Sequence, residues 1–304
     1  MEELERKNKT IEFVQVLKKE YQEGASINDL DRKYHKDIDY YFRKYNIPKR
    51  TKDEYKKWVL DNRPRGFKLN WMCDSIKNET EAYIIGFFMS DGYSTESQFG
   101  LRLKEEDYYM LEKIKNYFSE KITIGTHKTG TKHFVISSYK VLENLEKLGI
   151  SKDKTHKELS IPPMNKDLIR HFIRGYFDGD GSVFVCNKNK TNSYLKCNIC
   201  SPTINILKEI NSILKENGID AKIDVERRIG KKAKVPSGEV ICSMDMFRLF
   251  IRKKSEIKKF YNFLYDESTI YLDRKKEIFD NNKEMLEYKK LYANAELTNS
   301  LNEN

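Results

Sequence analysis

Asp91 and Asp180 stand 89 residues apart in closely similar company. The first ends the run Ala82-Tyr83-Ile84-Ile85-Gly86-Phe87-Phe88-Met89-Ser90-Asp91, the second the run Phe172-Ile173-Arg174-Gly175-Tyr176-Phe177-Asp178-Gly179-Asp180, and a glycine comes directly after each. A helix over either run puts the aspartate at a C-terminus, where the helix dipole disfavours a carboxylate by about 0.3–1 kcal/mol. Bringing two such ends together adds like-charge repulsion. A bound divalent cation reverses both penalties, and oxygen-only ligation completed by water and phosphate suits Mg²⁺, with Mn²⁺ as a substitute. Paired metals beside a phosphodiester activate water and stabilise the leaving oxygen. The chemistry open to this pair is therefore phosphodiester hydrolysis.

The elements around the aspartates must bring them together. Gly86 and Ser90 lie four apart, as do Gly175 and Gly179. Small residues at that spacing clear one helix face, so two backbones can pack closely through it. Ile84, Phe87, Phe88, Phe172, Tyr176 and Phe177 are then expected to bury outward. Gly92 and Gly181 are expected as helix stops in the left-handed conformation. Asn78 with Glu81 is an N-terminal signature for the first helix.

The residues C-terminal to each run also repeat. Phe99, Leu101 and Leu103 alternate with Gly100, Arg102 and Lys104, Val183 and Val185 with Phe184 and Cys186, then Leu195, Cys197 and Ile199 with Lys196 and Asn198. Helices come next, with Leu111 and Ile114 in the first copy and Leu207 and Ile210 in the second. Strands are expected at 121–126 and 133–138, then at 220–228 and 238–244, with closing helices at 139–148 and 245–253. The longer spacing in the second copy places a hairpin tip at Asn187–Asn192. The fold class is α+β: a pseudo-two-fold pair of αββαββα half-domains, at 78–163 and 164–285, with a C-terminal tail at 286–304.

An all-α module is expected at 1–48. Ile11, Val14, Leu17 and Tyr21 recur at helical spacing, Ser26 with Asp29 caps a second helix, and Asp37 caps a third. Two short helices with a tight turn, the second aromatic and basic, suggest a helix-turn-helix. The segment "GASINDL…YFRKYNIP" resembles resolvase-like modules of that kind, although His35 or Lys36 stands where the turn often has glycine. Tyr40, Arg43, Lys44, Lys49 and Arg50 are its candidate DNA contacts. Residues 49–77 read as a basic linker, since between Tyr41 and Lys68 ten basic residues face three acidic ones. The whole chain carries a formal charge of +10, which favours a polyanionic partner. No apolar run is long enough to span a bilayer, no secretory signal is evident, and five scattered cysteines make no disulfide framework. An intracellular, reducing location is expected.

The runs "YIIGFFMSDG" and "FIRGYFDGDG" resemble the two motifs of single-chain LAGLIDADG homing endonucleases, and the resemblance extends over about residues 78–280. It implies paired sheets laid along double-stranded DNA as a saddle, with both strands of a long pseudo-symmetric site cut by a monomer. It also implies metal ligation by Asp91 and Asp180 with the carbonyls of Ser90 and Gly179. Family members often carry an extra acid where Asp178 stands, opposite Met89 of the first copy. An orienting role and a catalytic one both suit it. The family's lysine near the metal pocket matches Lys154, with Lys157 second, and Lys275 in the second half. Either could stabilise phosphate charge or help deprotonate water. A β-ribbon can enter the major groove, so base and backbone contacts are expected from Gln98, Arg102, Lys104, Lys128, Lys132, Tyr194, Lys196, Asn198, Arg227, Arg228 and Lys231.

Other readings are weaker. Cys197 and Cys200 have no second pair nearby for a zinc site, the histidines show no metal-ligand spacing, and no glycine-rich phosphate loop occurs. The terminal residues do not resemble splice junctions, so an intein is not expected. The competing function is a DNA-binding regulator or RNA-binding splicing helper on the same fold, a role with no evident use for two such aspartates.

Overall fold

The computed structural model describes residues 2–51, 53–55, 57–58, 68–152, 154–187, 193–235 and 238–286. The chain divides into two units, Met1–Phe67 and Lys68–Asn304. Residues 188–192 of the expected hairpin tip Asn187–Asn192, linker residues 59–67 and the tail beyond 286 lie outside the described residues.

The first unit is helical: α1 (Glu2–Gln22), α2 (Ile27–Tyr34) and α3 (Ile38–Lys44). The capping box forms as expected, with Asp29 N–H donating to Ser26 Oγ and Ser26 N–H to Asp29 Oδ2, both at 3.1 Å. Asp37 caps α3 through Tyr40 N–H at 3.0 Å. His35 takes the left-handed turn position (φ +50°), one that histidine enters more readily than most residues. Val14, Leu17, Tyr21, Leu30, Ile38, Phe42 and Ile47 form the core. Ile11 does not join it and is 44% exposed.

The second unit is the expected duplication. Its first half runs α4 (Glu79–Asp91), β1 (Gly92–Ser94), β2 (Phe99–Leu103), α5 (Tyr108–Phe118), β3 (Gly125–Thr126), β4 (Lys132–Ile136) and α6 (Tyr139–Lys147). The second half opens with α7 (Lys166–Asp180), β5 (Gly181–Cys186), β6 (Tyr194–Ser201), α8 (Ile204–Glu216) and β7 (Lys222–Arg227). It continues with β8 (Lys232–Val235), β9 (Gly238–Ile241) and β10 (Met246–Ile251). The helices α9 (Lys254–Tyr265), α10 (Asp273–Asp280) and α11 (Lys283–Leu286) complete it. Two four-stranded antiparallel sheets result, ordered β1-β2-β4-β3 and β5-β6-β10-β7, so each copy has the same topology.

The second copy departs from expectation in its second hairpin. Met246–Ile251, expected as part of the closing helix 245–253, is the inner strand β10, and the closing helix is α9 at 254–265. Leu249 and Ile251 are buried while Arg248 and Phe250 are partly exposed, a strand's period of two. The expected strand at 238–244 exists only as β9, which pairs with β8 in a separate ribbon. Residues 68–77 are also more than linker. Leu69, Trp71 and Cys73 are buried, Trp71 lies on Phe118 with ring centroids 5.4 Å apart, and Asn144 donates to the Met72 carbonyl at 2.9 Å.

Candidate active site

α4 and α7 pack face to face through the small residues. A Cβ on Gly86 would stand 2.1 Å from the Phe172 carbonyl oxygen, and one on Gly175 would stand 2.0 Å from that of Tyr83. Gly179 is filled against by Ser90, whose Oγ would lie 1.8 Å from an added Cβ, with an Asp91 carboxylate oxygen 3.4 Å away. All four expected interface residues are therefore in the interface, and the two helix ends carrying Asp91 and Asp180 lie side by side. Gly92 and Gly181 come next, but not as left-handed stops: their φ values are −66° and −82°, and the chain passes directly into β1 and β5. Glycine is needed there for room. A Cβ would come within 2.5 Å of the Phe88 carbonyl at Gly92, and within 2.4 Å of the Phe177 carbonyl at Gly181.

The aspartates share a crowded, like-charged corner. Asp91 reaches solvent on one side, but the surrounding protein removes enough hydration to raise its carboxyl pKa, against the pull of Lys275, Lys154 and Arg274. Asp180 is raised to about 7, first by burial and then by Asp91. The donors available to a cation are these two carboxylates with backbone carbonyls beside them. Among the described residues no three His, Cys, Asp or Glu side chains gather to hold a metal. Two carboxylates and carbonyl oxygens fit an ion that keeps water and phosphate oxygens in its shell, as Mg²⁺ does.

Lys154 and Lys275 occupy matching positions. The Lys154 ammonium donates to the carbonyls of Phe88, Met89 and Ser90 at 2.9, 2.8 and 2.7 Å. The Lys275 ammonium donates to those of Phe177, Gly179 and Gly181 at 2.7, 3.2 and 2.6 Å. An ammonium has three N–H donors, and each is matched by one carbonyl at or just past a helix end, where those of Phe88 and Phe177 also accept from the N–H of Gly92 and Gly181. Burial lowers both amines to about 8, opposed by the nearby aspartates. The Ser90 and Gly179 carbonyls, expected as ligands, thus lie at the site but accept hydrogen bonds from lysine. Lys157 is not brought in: its side chain is exposed and its backbone N–H turns back to Lys154.

Asp178 is fully buried beneath this corner. Its oxygens accept from Tyr83 Oη and Tyr265 Oη, each at 2.9 Å, and from Leu272 N–H at 2.8 Å. With those partners it holds helices together and has no path to a substrate, which favours the orienting role over the catalytic one. Sequence reasoning missed two further devices. Arg174, fully buried in the middle of α7, donates to the Ile270 and Leu264 carbonyls, each at 2.8 Å, and to Glu79 at the start of α4. Arg274 crosses to the first half, with Nε 3.0 and 3.1 Å from the oxygens of buried Asp107. Charged residues in apolar motifs point to such locks, but their partners come from residues 90 or more positions away.

The expected DNA contacts divide by setting. Gln98, Arg102, Lys104 and Lys128 are exposed on the first half, and Lys132 is half-buried against Glu105 at 3.1 Å. Tyr194, Lys196 and Asn198 share the outer face of β6, opposite buried Leu195, Cys197 and Ile199. The same alternation puts Cys197 and Cys200 on opposite faces. Arg227, Arg228 and Lys231 are exposed, and Arg228 pairs with Asp245 at 3.0 Å. In the helical unit Tyr40, Arg43 and Lys44 are exposed, and Arg43, at 3.4 Å, and Lys49 both pair with Asp39. Arg50 turns inward: its guanidinium lies 4.1 Å from the Tyr21 ring and donates to the Ala25 carbonyl, so cation–π contact and packing hold it rather than solvent.

Residues 167–264 match the family model described as a LAGLIDADG-like domain. The replication factor C small subunit of Methanocaldococcus jannaschii is 31% identical over 121 residues, covering 36% of this chain and 6% of that protein. The chain thus spans a small fraction of the length of the curated relative it matches. Among solved structures, the chain resembles the I-SmaMI LAGLIDADG homing endonuclease bound to cleaved DNA, with 17% identity, a TM-score of 0.44 and coverage of 72% of this chain and 94% of that one. It also resembles the LAGLIDADG homing endonuclease I-GzeII in complex with its DNA target, with 16% identity, a TM-score of 0.45 and coverage of 68% and 89%.

Proposed function

From the LAGLIDADG-like domain at residues 167–264 and the first half that repeats its architecture, we propose that this chain is a site-specific DNA endonuclease, working as a monomer and serving as a homing endonuclease for a mobile element. The observation that carries this is the pair of aspartates at abutting helix ends, each end held by its own buried lysine. A fold that only binds DNA has no need to keep two desolvated carboxylates at one corner, because removing one would relieve the repulsion. Asp91 and Asp180, with the Ser90 and Gly179 carbonyls, would hold a divalent cation, which when bound would supply Lewis acidity and lower the pKa of its water.

The chain's own residues supply placement. Lys154 and Lys275 fix the helix ends and offset their partial negative charge. Asp178 and Arg174 hold α4 against α7, so the carboxylates keep one separation. The outer faces of the two sheets bear the basic and amide side chains that read and grip a duplex. Exposed Tyr40, Arg43 and Lys44 give the helical unit an accessory DNA-binding role.

The test is cleavage of DNA recovered from a randomised library. Asp91→Asn and Asp180→Asn should each abolish double-strand cutting while leaving binding within a few-fold, and EDTA should do the same to the wild type. Full cutting by either variant removes the assigned site. Specific binding with no cutting of any selected DNA, with Mg²⁺ or Mn²⁺ present, would make the chain a regulator instead.

A further inference from the structure

The two halves differ most between their last two sheet strands. In the first half β3 and β4 are joined by 127–131, a tight turn in which His127 N–H donates to the Thr131 carbonyl at 2.8 Å. In the second half β7 and β10 are separated by 228–245, and this stretch builds its own antiparallel ribbon, β8 with β9. The ribbon's base is pinned. The Asp245 carboxylate accepts from Arg228 Nη1 at 3.0 Å and from Ile229 N–H at 2.8 Å, and Gly230 N–H donates to the Cys242 carbonyl at 2.8 Å.

A two-stranded ribbon alone is marginally stable in water, and this one joins neither four-stranded sheet. It also leaves Ile229 64% and Ile241 70% exposed, among the most exposed large apolar side chains of the described residues. Such a ribbon needs something to lie against. Its charge says what: the stretch 227–245 contains Arg227, Arg228, Lys231, Lys232 and Lys234 but only Glu239 and Asp245 as acids. The ribbon leaves the sheet from β7 and β10, at the opposite side of the strand order from β5, which begins just after Asp180.

We infer that this ribbon is an arm that lies in the major groove of the DNA flank read by the second half, so that the target site is longer on that side than on the other. A major groove admits a two-stranded ribbon, its phosphates match the lysines, and thymine methyl groups match exposed isoleucine. Four paired residues at about 3.3 Å each span roughly 13 Å, or about four base pairs at 3.4 Å. The inference rests on the DNA-binding reading above, and the test separates the two.

Duplex DNA is selected from a randomised library by binding to the full chain in EDTA, then footprinted with hydroxyl radicals. Two variants are compared with the wild type: one with residues 229–243 replaced by Gly-Asn, and one carrying Lys231→Gln with Lys232→Gln, which sets no like charge against Glu239, the partner of Lys232 across the ribbon. The first should lose about four base pairs of protection on one flank only. The second should weaken binding and flatten the dependence of log affinity on log salt by about 1.8. Both should cut at the same central position as the wild type. A wild-type chain that selects no DNA overturns the endonuclease reading and the arm together. A wild-type footprint unchanged in both variants overturns the arm alone. Dimerisation of the wild type that is lost with the ribbon assigns it to a second copy of the chain and also overturns the arm.

Discussion

Asp180 is the residue whose state most directly reports the site. Its carboxyl is raised to about 7, chiefly by burial and by Asp91, so the folded chain takes up a proton that the unfolded chain, near 3.8, releases. The stabilising protonation is therefore fully present below about 4 and is lost as pH rises through 7. His171, pushed down to about 4 by burial, contributes the opposite slope, and lysines lowered to about 8 act only above that pH. The difference between wild type and Asp180→Asn removes the His171 contribution, while loss of Asp180 also withdraws a charge that supports Lys154 and so trims the variant's gain above pH 7. In EDTA the variant should be the more stable above pH 7, by on the order of 1–3 kcal/mol, since one pKa unit is about 1.4 kcal/mol. The advantage should shrink toward pH 4 and should also shrink when Mg²⁺ stabilises the wild type by binding it. Denaturant melts across that pH range are the measurement, and a wild type as stable as the variant at pH 8 without metal would show that the carboxylates do not repel as placed.

Among the elements, the helix pair sets how close the carboxylates come, and Gly175 sets the helix pair. An alanine there brings a Cβ to 2.0 Å from the Tyr83 carbonyl oxygen, and backbone cannot step aside as a flexible side chain would. Overpacking of this kind costs about 1–3 kcal/mol, or roughly 2–4 °C in Tm for each kcal/mol in a domain of this size. Gly175→Ala should therefore lower Tm and, by parting the aspartates, reduce cutting more than binding. Unchanged Tm and cutting would mean that the helices do not touch there. This element was legible in sequence because a glycine in a helix interior costs about 1 kcal/mol and repeats here at matched positions. Strand β10 was not legible. Met-Phe-Arg-Leu-Phe-Ile is apolar at nearly every position, and so short a run carries neither a helical nor a strand period cleanly. Only its pairing with β6 and β7 decides the matter, and the inserted ribbon shifted the expected strand onto β9. The lysines were legible by motif, but their carbonyl tripods were not, because those need the end of a helix 64 or more residues earlier. Of the partners of Arg174, only His171 is near it in sequence, and the carbonyls and Glu79 that hold it are 90 or more residues away.

For the whole molecule, charge makes the prediction. A formal +10 over 304 residues gives a general attraction to polyanions, but a specific complex releases counterions in proportion to the phosphates it touches. The helical unit exposes Arg43 and Lys44 beside Tyr40 on one short helix, and Lys44 lies 5.3 Å from the Tyr40 ring. If that face grips DNA, Arg43→Gln with Lys44→Gln removes two phosphate contacts, and the slope of log affinity against log salt should become shallower by about 1.8. Because both residues sit on the surface and neither belongs to the core built on Phe42 and Leu30, stability should move by less than about 0.5 kcal/mol. Cleavage at saturating enzyme should keep its position and its rate, since the carboxylates and lysines lie in the other unit. Binding titrations of the selected site over a range of salt concentrations read the slope directly. An unaltered slope, with affinity also unaltered, would leave the N-terminal unit without a hand on the DNA. The sheets of the second unit would then carry recognition by themselves.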